Sequence, residues 1–183
     1  MNTAQVYLEG VVATLRALPA DRIGEVVAIL RQARSEGRRV FLFGNGGSAA
    51  TASHFACDLA KLTRSKNEPD FKVIALTENS PTFSAYANDE GYEAVFAAQL
   101  RSLAEPGDVA IGLSASGRSA NILRALEVAR TLGLTTIGFT GFDGGKLKDK
   151  VDLCVIAAAN DMQQVEDAHH VLQPTICREL LRA

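Results

Sequence analysis

No long apolar run occurs anywhere in this chain of 183 residues, and its first residues, Met1-Asn2-Thr3-Ala4-Gln5, carry no basic cluster. A membrane-spanning helix needs about 20 consecutive apolar residues, and a secretory leader needs a basic start followed by an apolar stretch. Neither is expected, and the cytoplasm is the expected location. Cysteine is scarce. Cys57, Cys154 and Cys177 are widely separated and odd in number, with no Cys-x-x-Cys spacing. That pattern argues against a disulfide framework and a zinc ribbon, and fits a reducing compartment. An excess of positive charge is also lacking: 19 basic residues face 21 acidic ones, a net charge of −2. No global field therefore draws the chain to nucleic acid or to an anionic membrane. Two nucleotide signatures are missing as well. There is no G-x-G-x-x-G and no G-K-[ST], so no nucleotide cofactor is expected.

What is there reads as an ordinary globular chain. Hydrophobic residues make up 47% and charged residues 22%, enough for one domain over residues 1–183 with a full core. Two helices come first. Val6, Leu8, Val11, Val12, Leu15 and Leu18 carry a helical spacing over 4–18, and Ile23, Val26, Val27, Leu30 and Ala33 form the stripe of the second, which ends at Gly37. Such a pair cannot bury all its apolar surface on one sheet edge, and the surplus suggests a subunit contact. Five apolar strands follow, Arg39–Phe43, Lys72–Leu76, Asp108–Leu113, Leu134–Thr140 and Asp152–Ala157. Helices over 48–63, 92–104, 119–132 and 162–182 alternate with them. The alternation predicts a three-layer α/β/α sandwich of flavodoxin type, with a five-stranded parallel sheet. In such sheets ligands bind at the carboxyl ends of the strands.

Two turns at that edge hold the chemistry. After the first strand comes Gly44-Asn45-Gly46-Gly47-Ser48. Glycines permit a tight bend, and the helix that opens at Ser48 offers free N–H donors and a partial positive charge. That combination suits a phosphate. After the third strand comes Ser114-Ala115-Ser116-Gly117-Arg118-Ser119. Three hydroxyls within six residues at a strand-to-helix junction make a phosphate cradle that needs neither metal nor lysine. A serine N-cap accounts for one of the three hydroxyls, not for all. Further along the first of these helices, His54 and Asp58 stand at i and i+4, on one face.

The two turns and the two leading helices resemble a sugar isomerase (SIS) domain. More closely they resemble the phosphoheptose isomerases, which interconvert sedoheptulose 7-phosphate and D-glycero-D-manno-heptose 7-phosphate. Asn88-Asp89, Gly141-Phe142-Asp143-Gly144-Gly145 and Glu166-Asp167-Ala168-His169 extend the likeness over nearly the whole chain. The resemblance implies a homotetramer (or homodimer) with sites between subunits. It implies sugar contacts at Asn45, Gly46, Gly47, Ser48, Asn88 and Asp89, and phosphate contacts at Ser114, Ala115, Ser116 and Ser119. It also implies zinc, held in the bacterial enzymes by residues at the positions of His54, Asp58, Glu166 and Pro174 here. Three departures stand out. Ala115 replaces the usual threonine, Asp58 is one methylene shorter than the usual glutamate, and Pro174 stands where the family has its second histidine. Proline cannot bind metal or move a proton, and it removes a helical hydrogen bond. His170 shares a face with Glu166 and position 174. Through it His54, Asp58, Glu166 and His170 make a set that zinc accepts.

The functional expectation is an aldose–ketose isomerase. Glu166 or Asp58 would take the proton beside the carbonyl, and His170 or a metal-bound water would serve the oxygen side. The alternative is a phosphosugar sensor or an assembly protein of the same fold, which the loss of the second histidine favours.

Overall fold

The computed structural model describes residues 2–182. Its element order is α1 (Thr3–Arg16), α2 (Ala20–Ser35), β1 (Arg39–Gly44), α3 (Gly47–Lys61), β2 (Lys72–Ala75), α4 (Ser80–Asp89), α5 (Val95–Leu103), β3 (Val109–Ser114), α6 (Ala120–Thr131), β4 (Thr135–Gly141), β5 (Leu153–Ala157) and α7 (Met162–Leu180). One turn of 3₁₀ helix, Tyr92–Ala94, leads into α5, and another, Leu147–Asp149, precedes β5. The five strands form one sheet in the order β2-β1-β3-β4-β5, with every neighbouring pair parallel.

The sandwich follows from strands that are apolar on both faces. In β1, Val40 and Leu42 point to the side covered by α2, α3 and α7, while Phe41 and Phe43 point to the side covered by α5 and α6. All four are fully buried. On the first side Val26 and Leu30 of α2, Phe55 and Leu59 of α3, and Leu172 and Ile176 of α7 close over the sheet. On the second side Phe96 and Leu100 of α5 meet Ile122 and Leu126 of α6. Helix α1 lies outside this sandwich and packs on α7. Its outer face leaves Val6 and Leu8 more than half exposed, at 55% and 61%.

The expected elements are all present, with ends shifted by a residue or two. Pro174 does not break α7, which runs on to Leu180. The proline lacks the N–H that the His170 carbonyl would accept, and tertiary packing by Leu172, Ile176 and Leu180 carries the helix through that gap.

Candidate functional site

The strand order reverses between β1 and β3, and both small-residue turns leave the sheet at that switch point. In the register of the sheet Gly44 stands opposite Leu113, so Asn45 and Ser114 begin their turns side by side. Doubly wound sheets place ligands in the crevice at this point.

The turns are tied together by amides. Asn45 Nδ2 donates to Asn121 Oδ1 at 2.9 Å, Asn121 Nδ2 donates to Asn45 Oδ1 at 2.8 Å, and Tyr92 Oη donates to the same Asn45 oxygen at 3.0 Å. Asn45 thus spends its carbonyl oxygen on holding β1's turn to the first turn of α6. Neither Asn121 nor Tyr92 stood out in the sequence. A polar residue three positions into an amphipathic helix looks like surface, yet Asn121 is only 3% exposed.

The serine turn is open for a ligand. Ser119 occupies the N-cap position of α6, but its hydroxyl makes no capping bond. It accepts from Ser114 Oγ at 3.1 Å, while Ser116 Oγ accepts from the Arg118 N–H at 3.3 Å. Ser114, Ser116 and Ser119 line a cavity of about 160 Å³ together with Asn45, Ser48, Leu113, Ala115, Met162 and Glu166. Gly117 turns at φ +62°, and a Cβ there would lie 2.3 Å from the Gly144 carbonyl oxygen. That contact explains the glycine pair after β4: the two turns stack backbone on backbone. A second cavity of about 420 Å³ adjoins the first through Ser116 and Met162 and is flanked by Arg118 and Asp143. Arg118 and Asp143 form an ion pair at 3.2 Å, on the open surface. Its charge, with the backbone N–H of Gly145 as the largest influence, holds the Asp143 carboxyl below the usual range.

The other wall comes from α7, which packs against α3 in the same direction. Glu166 lies over Gly47, so close that a Cβ on Gly47 would stand 2.7 Å from its carboxylate oxygen. One turn later the His170 ring faces the Thr51 hydroxyl at 3.3 Å. Near the far end Gln173 Nε2 donates to Asp58 Oδ2 at 2.5 Å. Asp58 is eleven residues beyond Gly47 along α3, about 16 Å at the rise of an α-helix. The expected quartet is therefore spread along two helices. Glu166 is in the cavity with the serines, His170 stands exposed one turn further along α7 and does not line that cavity, and Asp58 with His54 is at the other end. His54 Nε2 lies 3.6 Å from Asp58 Oδ2, but among the described residues no three His, Cys, Asp or Glu side chains converge on a metal-sized space. This corrects the reading of His54, Asp58, Glu166 and His170 as one zinc set. Pro174 supplies nothing in its place. The Cys177 thiol, one turn beyond Gln173, is pushed up to about 12, first by burial and then by the Asp58 charge.

His169 is structural. Its Nε2–H donates to the Thr140 carbonyl at 3.2 Å, its Nδ1 has no partner among the described residues, and burial pushes its pKa down to about 4. Asn88 and Asp89 sit exposed at the end of α4, bonded to one another at 2.7 Å, and line neither cavity.

The comparisons with known proteins agree with this geometry. The model of the SIS domain matches residues 6–141. The chain is 40% identical over 160 residues to the phosphoheptose isomerase of Aquifex aeolicus, covering 87% of this chain and 83% of that one. The chain belongs to the SIS domain family, in its phosphoheptose isomerase branch. A second member of that branch, from Aliarcobacter butzleri, is 42% identical over 142 residues, or 78% of this chain and 75% of its own. Among solved structures, the phosphoheptose isomerase of Neisseria gonorrhoeae superposes with a TM-score of 0.89 at 27% identity, covering 97% of this chain and 95% of that chain. Of the three departures from the family pattern, Asp58 and Pro174 lie on α3 and α7, and Ala115 lies in the turn after β3.

Proposed function

We propose that the chain is a phosphosugar isomerase of aldose–ketose type, converting sedoheptulose 7-phosphate to D-glycero-D-manno-heptose 7-phosphate. The observation that carries this reading is the juxtaposition of Glu166 with the serine turn in one small cavity. Ser114, Ser116 and Ser119, with the free amides of α6, supply hydrogen bonds to the phosphate. Binding energy at that remote end fixes the reacting C1–C2 end against Glu166. Glu166 takes the proton from the carbon beside the carbonyl and gives an enediol. His170, one turn along on the same face of α7, is the nearest imidazole to serve the oxygens. No step passes through a metal ion, because the residues present do not form its ligand set. Of the other expected contacts, Gly46, Gly47 and Ser48 offer backbone donors at the start of α3. Asn88 and Asp89, which line neither cavity, are assigned to a sugar bound in a neighbouring subunit's site.

We propose further that the chain is one SIS domain throughout and works in the cytoplasm as a homotetramer or homodimer. The exposed Val6, Leu8 and Val12 of α1 support association. Among the described residues no helix is long and apolar enough to cross a membrane.

Incubation with sedoheptulose 7-phosphate, with and without added zinc, followed by product analysis, tests the isomerase. Formation of the aldose phosphate is expected in both. Pro174 favours one other reading, a phosphosugar sensor. Thermal stabilisation by the sugar phosphate with no product in either tube would establish the sensor instead.

A further inference from the structure

The pair formed by Asp58 and Gln173 has no part in the cavity chemistry. Gln173 is fully buried, and its side-chain amide has one protein partner, Asp58 Oδ2, at 2.5 Å. Its carbonyl oxygen Oε1 is buried with no donor among the described residues. A buried acceptor without a partner is costly. Turning the amide over would not repair it. The oxygen would then abut the carboxylate, and the N–H donors would lose the bond they have. The amide is thus committed to Asp58 at the expense of its own oxygen. The same Asp58 oxygen lies 3.6 Å from His54 Nε2. His54 and Asp58 alone are two ligands, whereas zinc sites in proteins are built on three or four. The next residue, Pro174, has no ligand atom.

We infer that the Gln173 amide occupies the place against Asp58 that a divalent cation would need, so that this end of the α3–α7 pair is an amide-locked carboxylate centre that works without metal. The positive end of a neutral dipole replaces a positive ion. A neutral amide oxygen is also a poorer zinc ligand than an imidazole or a carboxylate, so zinc gains little by turning it.

The probe is zinc itself, titrated calorimetrically into the intact, chelator-treated protein. All proteins in the titration carry Cys57→Ser, which removes an exposed thiol beside the centre. The parent is expected to show no stoichiometric site in the micromolar range. Gln173→Glu, which adds a charged ligand to His54 and Asp58, is expected to gain one site per chain, at least tenfold tighter. Gln173→His serves the same purpose should a second buried carboxylate prevent folding. Chelator treatment is expected to leave the unmutated chain's turnover of sedoheptulose 7-phosphate unchanged. One tight zinc per chain in the parent, or turnover that vanishes with chelator and returns with zinc, overturns the inference. Absence of turnover under every condition would count against the isomerase reading alone, since the titration decides the metal question without it.

Discussion

Gly47→Ala separates stability from chemistry at the centre of the site. Gly47 is the first residue of α3, and its φ is not in the left-handed region, so alanine fits the backbone. Replacing glycine by alanine in such a place stabilises by about 0.4–1 kcal/mol, through lost freedom in the unfolded chain. The new methyl, however, would lie 2.7 Å from one Glu166 carboxylate oxygen and 3.0 Å from the other. Ordinary contact begins near 3.4 Å, so the carboxylate must retreat by about 0.7 Å. The carboxylate ends a flexible side chain, so it can move and the fold survives. A misplacement near 1 Å in a catalytic arrangement costs up to about 100-fold in rate. The expected result is a melting temperature equal to or above the parent's. Turnover is expected to fall by about 10- to 100-fold, with KM changed less than about threefold, because the serine turn is untouched. Initial-rate kinetics and a thermal melt on one preparation read both quantities. A folded Gly47→Ala protein with parental kcat would refute the placement of Glu166 as the base.

Three further outcomes follow from the same structure. Ser119→Ala removes a hydroxyl that faces the cavity and caps nothing. Loss of one hydrogen bond to a charged phosphate, worth about 1.5–3 kcal/mol, should lower kcat/KM by roughly 10- to 100-fold with little change in melting temperature. Asn121→Leu leaves Asn45 without its amide partner. It should destabilise by about 1–3 kcal/mol, or roughly 2–4 °C in melting temperature per kcal/mol, whether or not ligand is present. His169 is neutral in the fold, with its pKa pushed from 6.5 down to about 4. Between those values the unfolded chain binds the extra proton, so its contribution is whole above about pH 6.5 and is lost as the pH falls toward 4. The loss amounts to roughly 3 kcal/mol, and His169→Phe should flatten the stability profile between pH 7 and 4.

Local signals in the chain carried the sheet and the two turns. Apolar runs such as Val40-Phe41-Leu42-Phe43 can only be buried strands, and a glycine or serine turn between strand and helix lies at one edge by topology alone. What was hidden is long-range. Glu166 meets Gly47 because α7 lies along α3, and nothing local to either segment records that contact across the chain. Spacing on α7 correctly put Glu166 and His170 on one face. It could not show that α3 runs alongside in the same direction, which sends Asp58 away from Glu166 instead of toward it. Asn121 and Gln173 were missed for a related reason. Each is a neutral amide amid helical polar residues, and only the neighbour's carboxamide or carboxylate gives it a task. For Asn88 and Asp89 the local signal reaches only as far as the helix: Asn79 caps it, Pro81 sits in its first turn, and the two residues stand at its far end.

The most direct test is a crystal structure with sedoheptulose 7-phosphate bound to the Glu166→Gln protein, which should hold the sugar without turning it over. The phosphate is expected within hydrogen-bond distance of the Ser116 and Ser119 hydroxyls, with C1 of the sugar beside the side chain at position 166. A phosphate bound away from the serine turn, or a sugar whose C1–C2 end points away from position 166, would contradict the account.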